Sequence, residues 1–339
     1  MFRRPLLALY ALAHFWVDLS CAFLVFRTLA DVEDLALCLL LYNFCAFALQ
    51  MPLGLIADRL DRNGMVAAVG CLLVALAYGV PLPVLASVTA GTGNALFHLG
   101  GGIDTLNVSE KRAAALGVFV SPGALGLYIG TLWGQDVEPE LWIAPAGLVV
   151  LGAGILLLCR RMFGSLRSGN APLDSTPVGG YAPLIPLFLV VVLRSYMGMN
   201  QSFSWKGEGS WDVILVLALV LGKTAGGFVM DRLGPRRASV LTLAAASALY
   251  LFCDVPSLGV SAVFLFNMTM PITLWAAAKV MPGAKGFAFG LLTFGLFLGY
   301  LPSWLGWAGV LTAPWTYALT ALVSLVLLRW PLGKEAIRC

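Results

Sequence analysis

The sequence carries few charges and few catalytic residue types for its length. Only 11% of its 339 residues are Asp, Glu, Lys or Arg, and the formal net charge is +4, whereas charged residues make up about 25% of an average soluble domain. There are two histidines, and no two of the seven cysteines are spaced as C-x-x-C. The motifs H-E-x-x-H, G-x-S-x-G and the phosphate loop do not occur. A soluble globule, a disulfide scaffold and a nucleic-acid-binding protein are therefore excluded.

Apolar residues make up 60% of the chain and form long runs. A helix needs about 20 apolar residues to cross the hydrocarbon core of a bilayer. Twelve runs approach this length: residues 5–28, 35–57, 65–83, 84–106, 111–133, 141–159, 183–205, 211–230, 237–253, 258–280, 285–305 and 313–330. The sequence therefore predicts an all-α integral membrane protein with 12 transmembrane helices. We expect the first run to be a retained helix, since no cleavage site follows it, and the cysteines to be small core residues.

A polar stretch rich in Gly, Ser, Asn and Pro separates the sixth run from the seventh. It predicts a six-helix bundle over residues 1–160, a flexible cytoplasmic linker over 161–182 and a second bundle over 183–339. Seventeen Lys and Arg residues fall on one side of this topology: Arg3, Arg4, Arg59, Arg62, Lys111, Arg112, Arg160, Arg161, Arg167, Arg232, Arg236, Arg237, Lys279, Lys285, Arg329, Lys334 and Arg338. By the positive-inside rule both termini are cytoplasmic. We expect a monomer in the lipid bilayer of a cell membrane, the inner membrane of a bacterium.

An internal repeat links the two groups of six helices. The string GLIADR begins at Gly54 and the string GFVMDR begins at Gly227, an offset of 227 − 54 = 173. The same offset places Asn94 on Asn267 without a gap. A single register across several helices predicts two duplicated, pseudo-symmetric six-helix bundles.

The repeated string forms a motif at the inner end of the second helix of each half. Glycine permits close helix contact there, and Asp and Arg are able to form charge pairs with a neighbouring helix end. We predict that each motif is a conformational latch; the alternative is ordinary topogenic charge. The predicted latch residues are Gly54, Asp58, Arg59, Arg62, Gly227, Asp231, Arg232, Gly234 and Arg236.

Twelve helices in a 6+6 division, the central linker and this motif resemble the major facilitator superfamily over the whole chain. The first motif departs from the family pattern at Asp61, where Gly is usual, and at Asn63, where a basic residue is usual. The resemblance implies the major facilitator fold, with a cavity lined by helices 1, 4, 7 and 10.

Ionisable side chains are costly inside a bilayer and usually face a bundle interior or a water-filled cavity. Those at depth are His14 and Asp18 in helix 1, His98 in helix 4, Arg194 in helix 7 and Lys223 in helix 8. His14 and Asp18 are four residues apart and share one helix face. We predict that these two residues and His98 bind the coupled proton; the alternative is a hydrogen-bonded structural pair.

Two shorter segments indicate export. The string GTGNALFH, which ends at His98, is similar to helix 4 of the fosmidomycin-resistance type of exporter, although Leu99 stands where that group often has Pro. The segment Gly117-x-x-x-Ser121-Pro122 resembles one found in proton-driven antiporters, and plain small-residue packing also accounts for it.

The buried charges bear on the substrate. With Asp18 as the single buried acid, Arg194 and Lys223 leave an excess of positive charge, which favours a carboxylate, phosphate or phosphonate. Alternatively, one of these cations pairs with Asp18 as a gate. Further predicted substrate contacts are Asn94, Asn267, Asn43, Asn200 and Gln201.

The sequence therefore predicts a secondary active transporter that works by alternating access and exports a small organic, anionic compound in exchange for protons. It is predicted to need no cofactor besides the proton gradient. Uptake by symport or facilitated diffusion is one alternative, and a divalent-metal carrier using His14, Asp18 and His98 is another. An intramembrane enzyme is a third, which no motif supports.

Overall fold

The computed structural model describes residues 3–109, 112–165, 167–307, 309 and 312–333. Twelve helices run through these residues: α1 Arg3–Thr28, α2 Leu35–Leu60, α3 Asn63–Ala77, α4 Pro83–Val108, α5 Ala114–Val137, α6 Ile143–Phe163, α7 Leu184–Asn200, α8 Trp211–Leu233, α9 Pro235–Tyr250, α10 Pro256–Val280, α11 Lys285–Trp304 and α12 Pro314–Arg329. The predicted all-α, twelve-helix architecture is confirmed. Three residues named in the predictions lie outside the described residues, Lys111, Lys334 and Arg338, as does the last of the seven cysteines, Cys339.

Seven of the helices in the described part of the chain are long and apolar enough to cross a membrane, namely α1, α2, α5, α6, α8, α10 and α11. The helices α3, α7 and α12 are apolar but shorter. Several helices are locally irregular: α2 contains a π-helical turn over Phe44–Ala48, and α5 is interrupted at Ser121, directly before Pro122. Proline removes a backbone donor and commonly breaks the regular ladder in this way.

The helix α7 ends at Asn200, five residues before the predicted end at 205. The segment that follows folds back on itself, and Phe203 stacks on Trp205 with ring centroids 4.8 Å apart. The indole N–H of Trp205 donates to the carbonyl of Cys253 at 2.8 Å. These aromatic side chains are therefore buried in a loop between α7 and α8 instead of extending the helix.

Contacts between residues divide the chain into two compact units. Unit 1 contains Met1–Val108, Pro122–Leu173 and Gly283–Phe294, and unit 2 contains Ser109–Ser121, Asp174–Pro282 and Gly295–Cys339. The first two turns of α5 thus belong to unit 2, and the first half of α11 belongs to unit 1. The predicted sequence boundaries at 160 and 183 stay a prediction.

In unit 1, α1 and α5 lie in backbone contact. A Cβ atom on Gly126 or Gly130 of α5 would collide with the main chain of Phe15 or Leu19 in α1. Small residues allow helices to approach closely where no hydrophobic effect drives them together. This close contact fixes the part of α5 that lies beside the polar residues of α1.

In unit 2, α8 and α10 pack in the same manner, because Gly222 and Gly226 face the backbone at Phe264 and Met268. The six described cysteines of the two units are all buried and free of disulfides. They serve as small core residues, as expected.

Candidate functional site

The buried polar side chains of α1 and α4 meet in unit 1. The His14 Nε2 atom lies 3.3 Å from Asp18 Oδ2 and 2.8 Å from His98 Nε2. The other carboxylate oxygen of Asp18 accepts a hydrogen bond from Asn94 Nδ2 at 3.0 Å and lies 3.8 Å from His98 Nε2. We call these four residues the His–Asp cluster. The structure thus brings together the three residues that were predicted to bind protons.

The hydrogen bonds of His98 determine where its proton lies. Its Nδ1 atom is 2.8 Å from the backbone carbonyl of Asn94, which only accepts, so Nδ1 carries hydrogen. In the neutral ring, Nε2 is then an acceptor, and His14 donates to it. A further proton on His98 Nε2 creates an imidazolium beside the Asp18 carboxylate, and His14 then carries its own hydrogen on Nδ1, so that its Nε2 accepts from His98. The cluster is therefore able to take up one proton next to a ready counter-ion.

The cluster is partly enclosed, since the side chains of Asp18 and His98 are 20% and 12% exposed. His14 is only 5% exposed, and the ring of Phe97 meets it edge-on at a centroid distance of 6.1 Å. On the α5 side, Gly123 lies so close that a Cβ atom there would contact both Asp18 Oδ2 and His14 Nε2. Only glycine fits at this position while the pair keeps its geometry.

The amide of Asn94 is part of the cluster. Its Nδ2 group also lies 3.7 Å from Cys21 Sγ, and Asn94 is 3% exposed. At the repeat-related position, Asn267 instead donates to the carbonyl of Val263, one turn earlier on its own helix. The two asparagines therefore have different hydrogen-bonding roles despite their shared register. Their predicted role in substrate binding stays a prediction.

The other predicted substrate amides are also engaged within the protein. The Nδ2 groups of Asn43 and Asn200 donate to the carbonyls of Leu39 and Tyr196, one turn earlier on their own helices. Gln201 lies directly after α7 and accepts a long hydrogen bond of 3.4 Å from a tyrosine hydroxyl. Each of these amides thus already forms a hydrogen bond within the protein, and their predicted contacts with substrate stay a prediction.

Arg194 is a buried cation in unit 2. It is 7% exposed, and its Nη1 atom makes a long contact of 3.4 Å with Thr273 Oγ1. Among the described residues of unit 2, no carboxylate is within ion-pair distance of it. A guanidinium has five donors, so this site is strongly suited to an anion. Lys223, the second predicted cation, is half-buried on α8 of the same unit.

The expectation that Asp18 is the single buried acid is wrong. Asp58 is 7% exposed and Asp104 is 6% exposed. The charge count that predicted an excess of positive charge therefore omitted two carboxylates. Asp104 falls inside the predicted fourth helix, and the sequence could have identified it by the same test that identified Asp18.

The chain is similar to several transporters of known structure. No protein-family model and no curated protein matches the chain, but it matches 136 chains of solved structures. The E. coli fucose:proton symporter, described as a major facilitator superfamily transporter, is 13% identical, with a TM-score of 0.66 over 97% of this chain and 98% of that one. A human organic anion transporter is 15% identical, with a TM-score of 0.63 over 96% and 99%. A bacterial homologue of the iron transporter ferroportin is 14% identical, with a TM-score of 0.64 over 98% and 97%.

The chain has the major facilitator fold. Identities of 13 to 15% establish the fold alone, so the narrower resemblance to fosmidomycin-resistance exporters stays a prediction. In this major facilitator fold, the His–Asp cluster lies on α1 and α4, and Arg194 lies on α7. These are three of the four helices that the resemblance placed at the cavity.

The two repeated motifs of the major facilitator fold each cap a helix. The carboxylate of Asp58 accepts from the backbone N–H of Gly286 at 2.8 Å and of Phe287 at 3.0 Å, at the start of α11. Gly54 permits this approach, since a Cβ atom there would collide with the backbone of Gly286. An anionic side chain at a helix N-terminus is favoured both by the free N–H groups and by the helix dipole.

The second motif does the same at the start of α5. Asp231 accepts from the N–H groups of Ala113 at 2.6 Å and Ala114 at 3.2 Å, and Gly227 lies against this segment. Gly234, with φ of +81°, forms the turn from α8 to α9 in a conformation that favours glycine.

The arginines of the two motifs were expected to form charge pairs with a neighbouring helix end, and the structure shows none within the described residues. Within the described residues, the four predicted latch arginines are exposed and form no ion pair: Arg59, Arg62, Arg232 and Arg236. Each motif therefore contacts a neighbouring helix end through its carboxylate, by hydrogen bonds to backbone N–H groups, and not through its arginines. Exposed cations at these positions are consistent with ordinary topogenic charge.

The two residues of the first motif that depart from the family pattern, Asp61 and Asn63, both form hydrogen bonds with Asn170. Asp61 adopts the left-handed backbone conformation, with φ of +49°, which is usually left to glycine and is tolerated by Asp. Its Oδ1 atom accepts from the backbone N–H of Asn170 at 2.8 Å. Asn63 is fully buried and donates both to Asp104 at 2.7 Å and to the Asn170 side chain at 2.8 Å.

The linker is consequently not free over its whole length. Besides Asn170, Ser168 is held, because its Oγ atom accepts from the N–H of Asn63 at 2.8 Å and its own N–H donates to the carbonyl of Asp61 at 3.0 Å. Residues 168–170 of the predicted linker thus dock on the α2–α3 turn of unit 1, and the flexibility of the linker stays a prediction.

Proposed function

We propose that the protein is a secondary active transporter of the major facilitator type that exports a small organic anion in exchange for protons by alternating access. The observation that carries this proposal is the His–Asp cluster, a half-buried carboxylate flanked by two histidines whose Nε2 atoms lie 2.8 Å apart. Buried ionisable groups of this kind mark proton or ion pathways in membrane proteins. The major facilitator fold of known transporters favours transport over an intramembrane enzyme.

In the proposed cycle, the proton and the substrate use different units. A proton binds at His98, and the carboxylate of Asp18 neutralises the resulting charge. Arg194 attracts the anionic part of the substrate, since the guanidinium is buried and has one long hydrogen bond to Thr273. Arginine suits carboxylates and phosphates because its planar donors bind two oxygens at once.

The first experiment identifies a ligand for the purified full-length chain. Thermal unfolding is measured with a panel of carboxylates, phosphates and phosphonates, because a ligand that binds the folded state raises the unfolding temperature. We expect at least one anion to do so, and Arg194→Ala to abolish that shift. If Arg194→Ala binds every effective anion as tightly as the wild type, the assignment of Arg194 is wrong.

The second experiment tests coupling in proteoliposomes with an imposed pH gradient. We expect Asp18→Asn, His14→Ala and His98→Ala to lose gradient-driven flux, whereas Asp34→Asn, at an exposed position before α2, keeps it. Flux that continues unchanged in the three cluster variants and ignores the gradient would contradict proton coupling. Accumulation in the direction of proton entry would favour the uptake alternative instead.

A divalent cation is the second candidate substrate. The side chains of His14, Asp18 and His98 offer one ligand atom each, and these atoms lie within 4.8 Å of one another. Nitrogen and carboxylate donors suit late first-row transition metals. Titration calorimetry with Zn²⁺, Mn²⁺ and Fe²⁺ distinguishes the candidates: heat of binding that disappears in His98→Ala supports a metal carrier, and its absence in the wild type opposes one.

A further inference from the structure

A second buried carboxyl group lies apart from the His–Asp cluster. Asp104 on α4 accepts one hydrogen bond on each oxygen, from Tyr10 Oη at 2.7 Å and from Asn63 Nδ2 at 2.7 Å. The Tyr10 hydroxyl is also 4.0 Å from Cys159 Sγ. We call these four residues the Asp104 network. They come from four different helices, α1, α3, α4 and α6.

The Asp104 network is well buried and contains no cation. Tyr10 is 1% exposed, Asn63 is 0%, Asp104 is 6% and Cys159 is 3%. Within the part of the chain that the structure describes, the titratable groups that face Asp104 are Tyr10 on α1, Cys159 on α6 and Asp61 in the turn before α3. None of these is basic, and Asp61 has the same sign as Asp104. A carboxylate held only by neutral donors is costly in such a place, which makes proton uptake favourable.

The hydrogen bonds suit both protonation states of Asp104. When the group is ionised, both oxygens accept, as the structure shows. When Oδ2 carries a proton, it donates to the Tyr10 hydroxyl oxygen, and the hydroxyl hydrogen turns to Cys159 Sγ, a weak acceptor. Asn63 continues to donate to Oδ1 in either state. When Asp104 gains or loses a proton, the rotation of the Tyr10 hydroxyl group therefore leaves every donor of the network with an acceptor.

The Asp104 network lies next to the His–Asp cluster along the same two antiparallel helices. Tyr10 is four residues before His14 on α1, a rise of about 6 Å, and Asp104 is six residues after His98 on α4, a rise of about 9 Å. On its other side, Asn63 bonds to Asn170 of the docked linker. The Asp104 network thus lies between the cluster and the end of unit 1 where the linker docks.

We propose that Asp104 is a second proton-binding residue of the protein, with Tyr10 as its switchable hydrogen-bond partner, placed between the His–Asp cluster and the predicted cytoplasmic face. The proton comes from and returns to the water at that face. The role in transport rests on the proposed function, whereas proton binding itself does not.

Infrared difference spectroscopy on the full-length chain in lipid nanodiscs tests proton binding directly. Spectra recorded at acidic and neutral pH contain a carbonyl band for each carboxyl group that becomes protonated. We expect Asp104→Asn to remove one band, and Asp18→Asn to leave that band in place. We expect Tyr10→Phe, which keeps the ring and removes the hydroxyl, to shift the band, because the protonated carboxyl loses its acceptor. The exposed change Asp34→Asn is the matched control.

The outcomes separate this proposal from the proposed function. A spectrum of Asp104→Asn identical to that of the wild type overturns the proposal, even if transport proves to be proton-coupled. If Asp104→Asn does not fold, an unshifted carboxyl spectrum in Tyr10→Phe overturns it equally. A band assigned to Asp104 in a protein that moves no anion supports proton binding at this residue and contradicts the proposed function alone.

Discussion

Asp58 and Asp231 lie 173 residues apart, since 231 − 58 = 173, and make the same kind of contact. Each carboxylate accepts hydrogen bonds from the first backbone N–H groups of another helix, α11 for Asp58 and α5 for Asp231. The repeat in the sequence is thus a repeat of helix caps. The two caps differ in burial, because Asp58 is buried and Asp231 is exposed.

The difference in burial predicts unequal effects of removing the two caps. We expect Asp58→Ala to lower the stability of the folded chain by about 1–3 kcal/mol, because the buried N–H of Gly286 and the half-buried N–H of Phe287 lose their acceptor. Asp231→Ala is expected to cost less, since the Asp231 carboxylate is itself exposed to water. The apparent thermal unfolding temperature in detergent measures both. Arg59→Ala is the control, and a loss as large as that of Asp58→Ala would show that the arginine, and not the cap, stabilises this end of α2.

Gly123 allows α5 to lie against the His–Asp cluster. We expect Gly123→Ala to push His14 and Asp18 apart, with loss of proton-coupled flux and a destabilisation of about 1–3 kcal/mol from overpacking. Gly154→Ala is the matched control, since its Cβ atom would meet only the Leu9 side chain at 3.7 Å. Full coupling in Gly123→Ala would mean that the cluster tolerates a wider spacing than the structure has.

Asn94 holds the two halves of the cluster, Asp18 by its side chain and His98 by its backbone. In Asn94→Ala the carboxylate loses a hydrogen bond that favours its ionised form, so we expect the pH profile of transport to move to higher pH. Apparent substrate affinity is expected to stay the same. Thr89→Ala, an exposed change on the same helix, serves as the control. A large change in affinity with an unmoved pH profile would instead assign Asn94 to substrate binding.

Arg194 is expected to lower the stability of the folded chain and to bind the anionic substrate. Arg194→Met keeps the length of the side chain and removes a buried cation, so we expect the free energy of unfolding to rise by about 1–3 kcal/mol. The same variant is expected to lose the stabilisation by anions. Arg27→Met is the control, because Arg27 forms a partly exposed ion pair with Glu138 at 3.4 Å, worth about 1 kcal/mol or less. A less stable Arg194→Met would show that the cation has an acidic partner.

Asn170 ties the linker to unit 1 through Asn63 and Asn107, each at 2.8 Å. We expect Asn170→Ala to increase the rate of trypsin cleavage after Arg167 about 5- to 30-fold, as a loss of one to two kcal/mol in local stability implies. Ser175→Ala, at an exposed position further along the linker, is expected to leave the rate unchanged. Equal rates in the wild type and Asn170→Ala would mean that the side-chain contacts do not hold the linker.

Local spacing explains which parts of the site the sequence could predict. His14 and Asp18 are four residues apart, so any helix puts them on one face, and the cost of burying ionisable groups predicts where they point. The same test applied to the fourth helix would have found Asp104. By contrast, the 2.8 Å contact between His14 and His98 depends on the packing of α1 against α4, and spacing along one helix does not encode it.

The low charge content determined by itself that this is a membrane protein, and apolar run lengths determined its twelve helices, because both depend on local transfer free energies. The 173-residue repeat identified the two motifs. Only the tertiary structure decided what they do, since the partners of Asp58 and Asp231 are backbone N–H groups distant in sequence. It likewise decided that Asn63 and Asp61 hold the linker and that Asp104 is buried with no cation among the described residues that face it. Hydrogen-bond partners are set by how helices pack, and a pattern of apolar residues does not specify them.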